Sequence, residues 1–458
     1  MVTKAILHHS LEISIAENQR LNIGGLKRRF TYPNPRYAEA RRLKLSTYGI
    51  PEKICLLNDR GPALLLPRGL ISAIITENPK MEIFDQTVTR PIEFPPATIS
   101  LRDYQQSPVD ALLQKNQGLL VAPCGSGKTV MLLAVIRHRS QKTLVVAHTT
   151  DLIEQWRVKI EEFLGLFPGI IAGGRFDPSP AVVVGTPMSL DKYQAPEFLN
   201  QFGMIILDEA HHAPADSFRR VISRFPARYR LGASATPERR DGLSFLLHAV
   251  MGPTVAEIKT GDLVQVGHAL VPSVRAISTN LYLPAVDDYG TLLTAITKDE
   301  ARNDLILQHV IKEAREGHSC LVLTERIAHA KELYRLFHTR YPELEAAVVT
   351  GKDSHIHRQQ AITAMNQGQV KVLFATRLAE EGLDIPWLSR LFLTCPIRST
   401  NKVTQMLGRT LRPCPGKPTP VIFDFVDDLV GLAESQFHSR KSAAYEGLII
   451  NQTAFGDD

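Results

Sequence analysis

A strand, a glycine-containing loop and a helix follow one another in residues 119–129, and this succession constrains the fold more than any other stretch of the chain. Gly125 and Gly127 allow consecutive backbone N–H groups to curve around an anion, and the positive end of the following helix adds to the attraction. The Lys128 ammonium can neutralise the charge of β- and γ-phosphates, and the Thr129 hydroxyl can ligate magnesium. The stretch therefore predicts a nucleotide site at the end of a buried strand.

The match to the phosphate-loop pattern GxxxxGK[ST] is incomplete, because Ala122 stands at the position of the first glycine. A chance glycine loop is the alternative. The apolar strand before the loop and the apolar helix after it favour nucleotide binding. The residues predicted to hold the nucleotide in this loop are Gly125, Ser126, Gly127, Lys128 and Thr129.

The length of 458 residues suggests about three domains of roughly 150 residues each. No apolar run approaches the roughly 18 residues that span a bilayer, and the first 20 residues lack the apolar block of a signal peptide. We therefore expect a soluble, cytoplasmic protein without a membrane partner. Five isolated cysteines, with no CxxC pair, favour neither a disulfide framework nor a zinc site.

The basic excess of the chain is concentrated near its N-terminus. Residues 1–97 carry 14 Lys and Arg against 9 Asp and Glu, a difference of +5 within a formal net charge of +6. The same stretch has no regular alternation of strands and helices, and it ends in a proline-rich segment at 90–96. We therefore expect an accessory domain at 1–97 that binds a polyanion.

Lys27, Arg28 and Arg29 are the basic residues predicted to contact nucleic-acid phosphates in this accessory domain. Aromatic side chains interleaved with the basic ones would stack on bases. The alternative is a solvated basic face whose aromatic side chains belong to a small core. The aromatic residues concerned are Phe30, Tyr32 and Tyr37.

Two series of apolar strands joined by helical patterns follow the accessory domain. Strands are predicted at 118–122, 143–148, 181–185, 203–207 and 229–233, and again at 319–324, 345–349, 370–375, 389–394 and 420–425. This pattern indicates an α/β protein with two tandem parallel-sheet domains. The predicted boundaries are 98–253 for the first domain, 254–298 for a linker that acts as a hinge, 299–434 for the second domain and 435–458 for a C-terminal tail.

Two acids, Asp208 and Glu209, follow the strand at 203–207. Open α/β folds place ligands at the carboxyl edge of the sheet, where this strand ends. Asp208 is predicted to hold magnesium, usually through water, and Glu209 is predicted to polarise the water that attacks the γ-phosphate. A solvated surface pair is the alternative, which the position after an apolar strand disfavours.

In combination, these motifs resemble those of the superfamily 2 DExD/H-box helicases and translocases, and the resemblance covers residues 101–425. It implies two RecA-like domains that use ATP and Mg²⁺. It further implies that Arg102 and Gln105 belong to an adenine-sensing motif and that Thr149 and Thr186 contact nucleic acid. His211, Ser234 and Thr236 would couple hydrolysis to movement; for His211 and the neighbouring His212, metal ligation is the alternative.

The second domain carries the remaining motifs of this resemblance. Thr376 would meet the nucleic-acid backbone, and Gly382 and Asp384 would face the nucleotide. Residues 405, 409 and 412 lie at i, i+4 and i+7 of a predicted helix and so share one face. The resemblance implies that Gln405, Arg409 and Arg412 act in catalysis, with both arginines serving as fingers on the γ-phosphate.

Residues 238–242 resemble the Arg-Glu-Asp signature of the XPB and UvsW-like branch, except that Arg240 replaces the acid. The predicted linker at 254–298 is short for the thumb-like insertion of XPB proteins. The resemblance therefore implies an ATP-dependent DNA helicase or translocase that acts on single-stranded or branched DNA. An RNA helicase is one alternative, and an ATP-gated nucleic-acid clamp that serves a partner nuclease without unwinding is another.

Overall fold

The structure is a computed structural model that describes residues 4–15, 22–59, 61–96, 99–210, 216–235, 242–283, 286, 288–376, 385–397, 399–410 and 414–453. The chain divides into two compact units. The first comprises Met1–Pro123 and Gly127–Lys259, and the second comprises Cys124–Ser126 and Thr260–Asp458. No helix in the described ranges is both long and apolar enough to cross a bilayer.

The larger sheet of the first unit has eight strands. Its strands are β8 (Gln117–Val121), β9 (Thr143–Val146), β10 (Gly169–Ala172), β11 (Arg175–Phe176), β12 (Val182–Gly185), β13 (Met204–Leu207), β14 (Tyr229–Ser234) and β15 (Thr254–Glu257). Their order is β11-β10-β12-β9-β13-β14-β8-β15, and all neighbours are parallel except β11. The sequences TLVV, VVVG and MIIL of β9, β12 and β13 are buried at every position, as strands covered on both faces require.

The helices that accompany this sheet follow the predicted alternation. They are α4 (Asp103–Leu113), α5 (Lys128–Arg139), α6 (Thr150–Leu164), α7 (Pro187–Leu190), α8 (Pro196–Leu199), α9 (Asp216–Ile222) and α10 (Ser244–Met251). In α6, Ile153, Trp156 and Ile160 lie on the buried face, at i, i+3 and i+7. The parallel strands therefore end at one edge of the sheet, where the predicted nucleotide residues lie.

The N-terminal residues form a smaller mixed sheet in the order β5-β6-β2-β1-β7, beside a two-stranded ribbon of β3 and β4. These strands are β1 (Lys4–Leu7), β2 (Leu11–Ser14), β3 (Thr31–Pro33), β4 (Lys53–Cys55), β5 (Asn58–Asp59), β6 (Ala63–Leu66) and β7 (Glu82–Asp85). The helices are α1 (Ile23–Arg29), α2 (Pro35–Arg42) and α3 (Ile71–Glu77), with a 3-10 turn at Arg68–Leu70. One face of the sheet is apolar and buried, and the other is half-exposed.

This N-terminal part shares its core with the first unit. Leu246 and Ala249 of α10, and Leu243 just before it, pack into the same apolar cluster as the strands β1, β2 and β6. The sequence predicts a separate accessory domain at 1–97, and the contacts place that stretch in one compact unit with the eight-stranded sheet. The sequence does not reveal this shared core, because the apolar residues of α10 could pack equally well on the N-terminal sheet or on the eight-stranded sheet.

A buried arginine and a glycine lie at this junction. Arg68 is 2% exposed, and its guanidinium donates hydrogen bonds to the carbonyl oxygens of Ala227 and Arg228 and to Oε1 of Gln117, which lies 3.1 Å away. Burial lowers the pKa of Arg68 to about 10. A Cβ on Gly69 would lie 2.2 Å from the carbonyl oxygen of His248, so only glycine permits this close approach.

The second unit contains a seven-stranded parallel sheet in the order β18-β19-β17-β20-β21-β16-β22. Its strands are β16 (Ser273–Ser278), β17 (Ser319–Leu323), β18 (Ala346–Val349), β19 (Val372–Ala375), β20 (Leu388–Leu393), β21 (Val421–Val426) and β22 (Ile449–Thr453). Its helices are α11 (Thr260–Gln265), α12 (Tyr289–Lys298), α13 (Glu300–Arg315), α14 (Ile327–Arg340), α15 (His355–Asn366), α16 (Thr400–Thr410) and α17 (Gly431–Ala443).

The stretch expected to be a linker, 254–298, contributes strands to both sheets. β15 pairs with β8 in the first unit, and β16 lies between β21 and β22 in the second. The tail expected at 435–458 likewise contains most of α17 and all of β22. These short, partly polar strands lack a distinctive pattern, so their partners in the tertiary structure decide that they form.

A buried ion pair links α17 to the sheet of the second unit. Arg440 and Asp424 are 1% and 0% exposed, and the guanidinium donates to both carboxylate oxygens, at 2.8 and 2.9 Å. The Tyr445 hydroxyl donates to the same carboxylate at 2.7 Å, and Arg440 also donates to the Ile397 carbonyl. The C-terminal residues therefore belong to the core of this unit.

Replacing Arg440 by Ala is expected to lower the free energy of unfolding by about 3–5 kcal/mol, because Asp424 stays buried without a counter-charge. The control is Arg335→Ala, since Arg335 is exposed and pairs with Glu332 at 2.7 Å; its loss is expected to leave the free energy of unfolding nearly unchanged. Urea titrations followed by circular dichroism measure both losses. Equal losses in the two variants would contradict the assignment.

Candidate nucleotide-binding site

The loop between β8 and α5 adopts the backbone conformation that phosphate binding requires. Gly125 and Gly127 have φ values of 84° and 81°, in the left-handed region that side chains disfavour. Gly127 is the N-cap of α5, and its carbonyl accepts the first helical hydrogen bond, from the Met131 N–H. The N–H groups at the start of α5 are therefore available to an anion.

The Lys128 ammonium is held by the loop itself. It is 9% exposed and donates to the carbonyl oxygens of Ala122 and Pro123, at 3.0 and 3.3 Å. Ala122 is fully buried, and its N–H donates to the Ser234 carbonyl oxygen. Ala122 does not have a positive φ, so the loop does not require glycine at the position where the pattern has its first glycine.

Gln105 contacts the loop directly. A Cβ on Gly127 would lie 2.3 Å from Nε2 of Gln105, so the amide occupies the space beside this glycine. Oε1 of Gln105 accepts a hydrogen bond from the backbone N–H of the N-cap residue Arg102 at 3.0 Å, at the start of α4. The structure thus brings Gln105 to the loop, whereas the Arg102 side chain is exposed.

Asp208 lies at the end of β13 in a buried position. Nε1 of Trp156 donates to Oδ2 at 2.8 Å, and the Glu209 N–H donates to Oδ1 at 2.9 Å. Burial raises the pKa of Asp208 and the neighbouring Glu209 charge raises it further, while the Trp156 hydrogen bond and the Lys128 charge oppose the rise. Lys128 and Asp208 follow the parallel strands β8 and β13, so both lie at the same edge of the sheet.

Sequence reasoning missed Trp156. Its position on the apolar face of α6 is typical of an ordinary core residue, and Trp156 is 1% exposed. A buried indole N–H usually has a hydrogen-bond partner, and this requirement is the one signal in the sequence that could have linked it to a nearby acid. The structure shows that the indole orients the Asp208 carboxylate.

Glu209 has a φ of 49°, which is unusual for a residue with a side chain. Such a conformation costs about 1–3 kcal/mol and is concentrated at functional sites. The Glu209 side chain is half-buried. The strained backbone turns the chain sharply at the carboxyl edge of the sheet, where the predicted water-polarising role requires the carboxylate.

Three further predicted residues lie at the same edge of this sheet. Ser234 is fully buried at the end of β14 and pairs with Val121 of β8. The Thr149 hydroxyl caps α6 by accepting from the Leu152 N–H, and the Thr186 hydroxyl caps α7 by accepting from the Ser189 N–H. The capping roles are visible, and contact with nucleic acid stays a prediction for both threonines. His211 and Thr236 lie outside the described residues.

In the second unit, Thr376 is buried immediately after β19. Residues 405 and 409 both lie in α16, as the i, i+4 spacing predicts. The side chains of Gln405 and Arg409, and the whole of Gly382, Asp384 and Arg412, lie outside what the structure describes. Their roles therefore stay predictions.

The predicted phosphate contacts of the N-terminal part have acidic neighbours. Lys27 pairs with Asp59 at 2.8 Å, and Arg29 pairs with Glu77, whereas Arg28 is exposed. The aromatic side chains nearby serve the core: Phe30 is 2% exposed, and the ring of Tyr32 stacks on Phe245 with centroids 4.2 Å apart. Two of the three aromatics thus follow the core alternative, while Tyr37 is half-buried.

Comparison with known families matches both sheet-containing parts of the chain. Residues 98–239 match the family described as "Type III restriction enzyme, res subunit", and residues 301–414 match the "Helicase conserved C-terminal domain". The first range contains the β8–α5 loop, Asp208 and Glu209, and the second range contains α16. The order of the two parts is the order that the resemblance implies.

Curated relatives and a solved structure agree with these families. The DNA 3'-5' translocase XPB2 of Sulfurisphaera tokodaii is 28% identical over 348 residues, covering 69% of this chain and 79% of that protein. The DNA 3'-5' helicase XPB of Kineococcus radiotolerans is 27% identical over 333 residues, covering 69% of this chain and 57% of that protein. Saccharomyces cerevisiae Dbp5 bound to RNA and ADP BeF3 has a TM-score of 0.59 at 17% identity, covering 79% of this chain and 90% of that one.

The likeness to Dbp5 shows the fold, and it confirms the predicted class of two tandem RecA-like parallel-sheet domains. The two matched ranges include the positions of the phosphate loop and of the acidic pair. From these observations together, the chain belongs to the superfamily 2 helicases.

Proposed function

We propose that this chain is an ATP-dependent DNA helicase or translocase that couples hydrolysis to movement along nucleic acid and to strand separation or branch remodelling. The observation that carries the proposal is geometric: the Lys128 ammonium at the loop after β8 and the buried Asp208 carboxylate after β13 lie at the same carboxyl edge of a parallel sheet. The names of the relatives XPB2 and XPB, a DNA translocase and a DNA helicase, favour DNA as the substrate.

ATP fits the described residues. The left-handed Gly125 and Gly127 shape a loop without side chains, and the N–H groups of α5 and the Lys128 ammonium supply positive charge to the phosphates. Gln105, which lies against Gly127, is close enough to the loop to sense the bound nucleotide. The conformation of the loop therefore already orients the residues that are proposed to contact ATP.

Thr129 and Asp208 are the proposed magnesium residues. Among the described residues, each Asp208 oxygen accepts one hydrogen bond, from Trp156 or from the Glu209 N–H, and a carboxylate oxygen has capacity for a second. That remaining capacity suits a metal-bound water. Thr129 and Asp208 would hold the Mg²⁺ ion, which would supply positive charge to the phosphates.

Glu209→Gln is expected to retain ATP binding while turnover falls by about 10²- to 10⁴-fold, the usual contribution of a general base. The amide keeps the size of the side chain but cannot accept a proton from the attacking water. Steady-state ATPase assays and titration with a fluorescent nucleotide separate the two effects. Glu162→Gln, which alters an exposed acid paired with Lys159, is the control; loss of binding in Glu209→Gln would mean that the acid is structural.

The second unit supplies the other half of the proposed cycle. Gln405, Arg409 and Arg412 would complete the catalytic charge around the γ-phosphate, and Gly382 and Asp384 would face the nucleotide. Hydrolysis would then require residues of both units. Each cycle of hydrolysis would move one grip on the strand relative to the other, with Thr149 and Thr186 in the first unit and Thr376 in the second.

ATPase activity measured with single-stranded DNA, blunt duplex, forked DNA and RNA tests the proposed substrate. A strand-displacement assay on the forked DNA tests unwinding. Stimulation and displacement on DNA are the expected results. Stimulation by RNA alone would identify an RNA helicase, and ATPase activity without displacement or translocation would identify the nuclease-serving clamp.

A further inference from the structure

Helix α2 and the loop after it present a basic, aromatic surface on the first unit. We define the α2 surface as residues 36–48. Its basic residues Arg36, Arg41, Arg42 and Lys44 are exposed, and the only acid among them is Glu39. A surface with this excess of positive charge is complementary to a polyanion.

The charges of the α2 surface are less compensated than those of α1. Lys27 and Arg29 on α1 pair with Asp59 and Glu77. On the α2 surface, the Arg42 guanidinium lies 4.0 Å from the Glu39 carboxylate, and Arg36, Arg41 and Lys44 pair with no acid in the described ranges of the chain. Cations without a protein partner can neutralise phosphates without first breaking an ion pair.

The loop of the α2 surface also exposes apolar side chains. Tyr48 is 97% exposed, and Leu43 and Leu45 are 53% and 62% exposed. A single exposed apolar residue is ordinary, but three within six residues beside four cations form a patch. An aromatic face next to arginines is the combination that stacks on bases while the phosphates are neutralised.

Hydrogen bonds define the conformation of this loop. The Leu45 N–H donates to the Ala40 carbonyl, the Tyr48 N–H donates to Oγ of Ser46, and the Asn34 amide donates to the Pro51 carbonyl at 2.7 Å. The two ends of the segment are thereby tied together at Asn34 and Pro51. Tyr48 is therefore presented on a loop of defined shape.

The α2 surface is also attached to the ATP-binding part of the first unit. A Cβ on Gly242 would lie 2.8 Å from Cγ of Pro35, so the start of α2 packs closely against Gly242. Tyr32, on the ribbon that precedes α2, stacks on Phe245. A ligand on the α2 surface therefore has a fixed position relative to the start of α10.

We propose that the α2 surface binds single-stranded DNA, with Arg36, Arg41 and Lys44 on the phosphates and Tyr48 stacked on a base. The proposal rests on the proposed function as a DNA motor and adds a contact outside its motor motifs. A single strand is the occupant because a base face is accessible to Tyr48 along an unpaired strand, whereas a duplex exposes a base face only at its ends.

Two double variants of the full chain, Arg41→Gln/Lys44→Gln and Lys159→Gln/Arg335→Gln, test the charges. The control pair also removes two exposed cations, each of which has an acidic partner on its own helix. Affinity for an oligothymidylate is measured as a function of salt. Affinity decreases as salt increases, so the slope of log affinity against log salt is negative. In the first variant its magnitude is expected to decrease by about 1.4, since each single-stranded phosphate contact contributes about 0.7. In the control the slope is expected to stay unchanged.

Tyr48→Ala tests stacking. It is expected to weaken oligothymidylate binding by about 5- to 140-fold, the range that corresponds to stacking of one base on an aromatic side chain. Tyr48→Phe keeps the ring and is expected to bind like the wild type. Blunt duplex binding and ATPase activity without DNA are expected to be unchanged in both variants.

The outcomes separate this inference from the proposed function. A wild-type chain that binds no DNA and shows no stimulated ATPase activity would refute the proposed function itself. If the wild type binds single-stranded DNA and the Tyr48→Ala and Arg41→Gln/Lys44→Gln variants bind it equally well, the α2 surface is not a DNA site. The inference would also be overturned if a Lys27→Gln/Arg29→Gln variant reduced the salt dependence of binding and the α2-surface variants did not. It would likewise be overturned if the α2-surface variants lost as much affinity for blunt duplex as for single-stranded DNA.

Discussion

Replacing Arg409 by Ala is expected to lower kcat for ATP hydrolysis by about 10³- to 10⁵-fold, the contribution of an arginine finger in related phosphoryl-transfer systems. Nucleotide affinity is expected to stay nearly intact, because the finger acts on charge that develops in the transition state. The measurement combines steady-state ATPase assays at saturating single-stranded DNA with titration by a fluorescent nucleotide.

Arg335→Ala serves as the matched control for Arg409→Ala, since it removes an exposed arginine from a helix of the same unit. Its ATPase activity is expected to equal that of the wild type. A lost affinity for nucleotide with normal kcat would instead assign Arg409 to ground-state binding. An unchanged kcat and affinity would remove the second unit from the catalytic step.

Replacing Lys128 by Ala is expected to abolish ATPase activity, with a fall of at least about 10²- to 10³-fold, the effect of losing one group that stabilises transition-state charge. The Lys128 ammonium already lies at the phosphate loop, where the Ala122 and Pro123 carbonyl oxygens accept its hydrogen bonds. Nucleotide affinity should fall as well, because the same ammonium neutralises ground-state phosphate charge.

The control for Lys128→Ala is Lys159→Ala, which removes an exposed ammonium from α6 of the same unit. Circular dichroism of both variants establishes that the fold is kept. ATP hydrolysis at the wild-type rate in Lys128→Ala would refute the site. The contrast between the two main predictions matters, since the lysine affects binding and turnover whereas Arg409 affects turnover.

Much of the fold was predictable because its strands are fully buried. The strands β9, β12 and β13 are continuous apolar runs that only a sheet covered on both faces accommodates, and they occur at the predicted positions within two residues. The loop before α5 was predictable for a different reason. The loop requires positive φ at positions 125 and 127, and both positions are glycine, the residue that adopts positive φ most readily.

The less predictable elements depend on distant partners. β22 consists of Ile449–Thr453, in which only some positions are apolar, and it forms because β16 offers a parallel neighbour. Arg68 resembles an ordinary surface cation in the sequence, yet it is buried against carbonyl oxygens of residues about 160 positions later. No local pattern encodes either pairing.

The sequence by itself determined the two parallel-sheet domains, the phosphate loop and the position of the acidic pair, because backbone preferences and continuous apolar runs act over a few residues. The tertiary structure alone decided that Trp156 orients Asp208, that Gln105 lies against Gly127 and that the N-terminal part shares a core with α10. It also distinguished Lys27 and Arg29 of α1, which pair with acids, from Arg36 and Arg41 of α2, which pair with no acid among the described residues. The physical reason is that hydrogen bonds and ion pairs between distant residues depend on where the folded chain brings them, which spacing along the sequence does not specify.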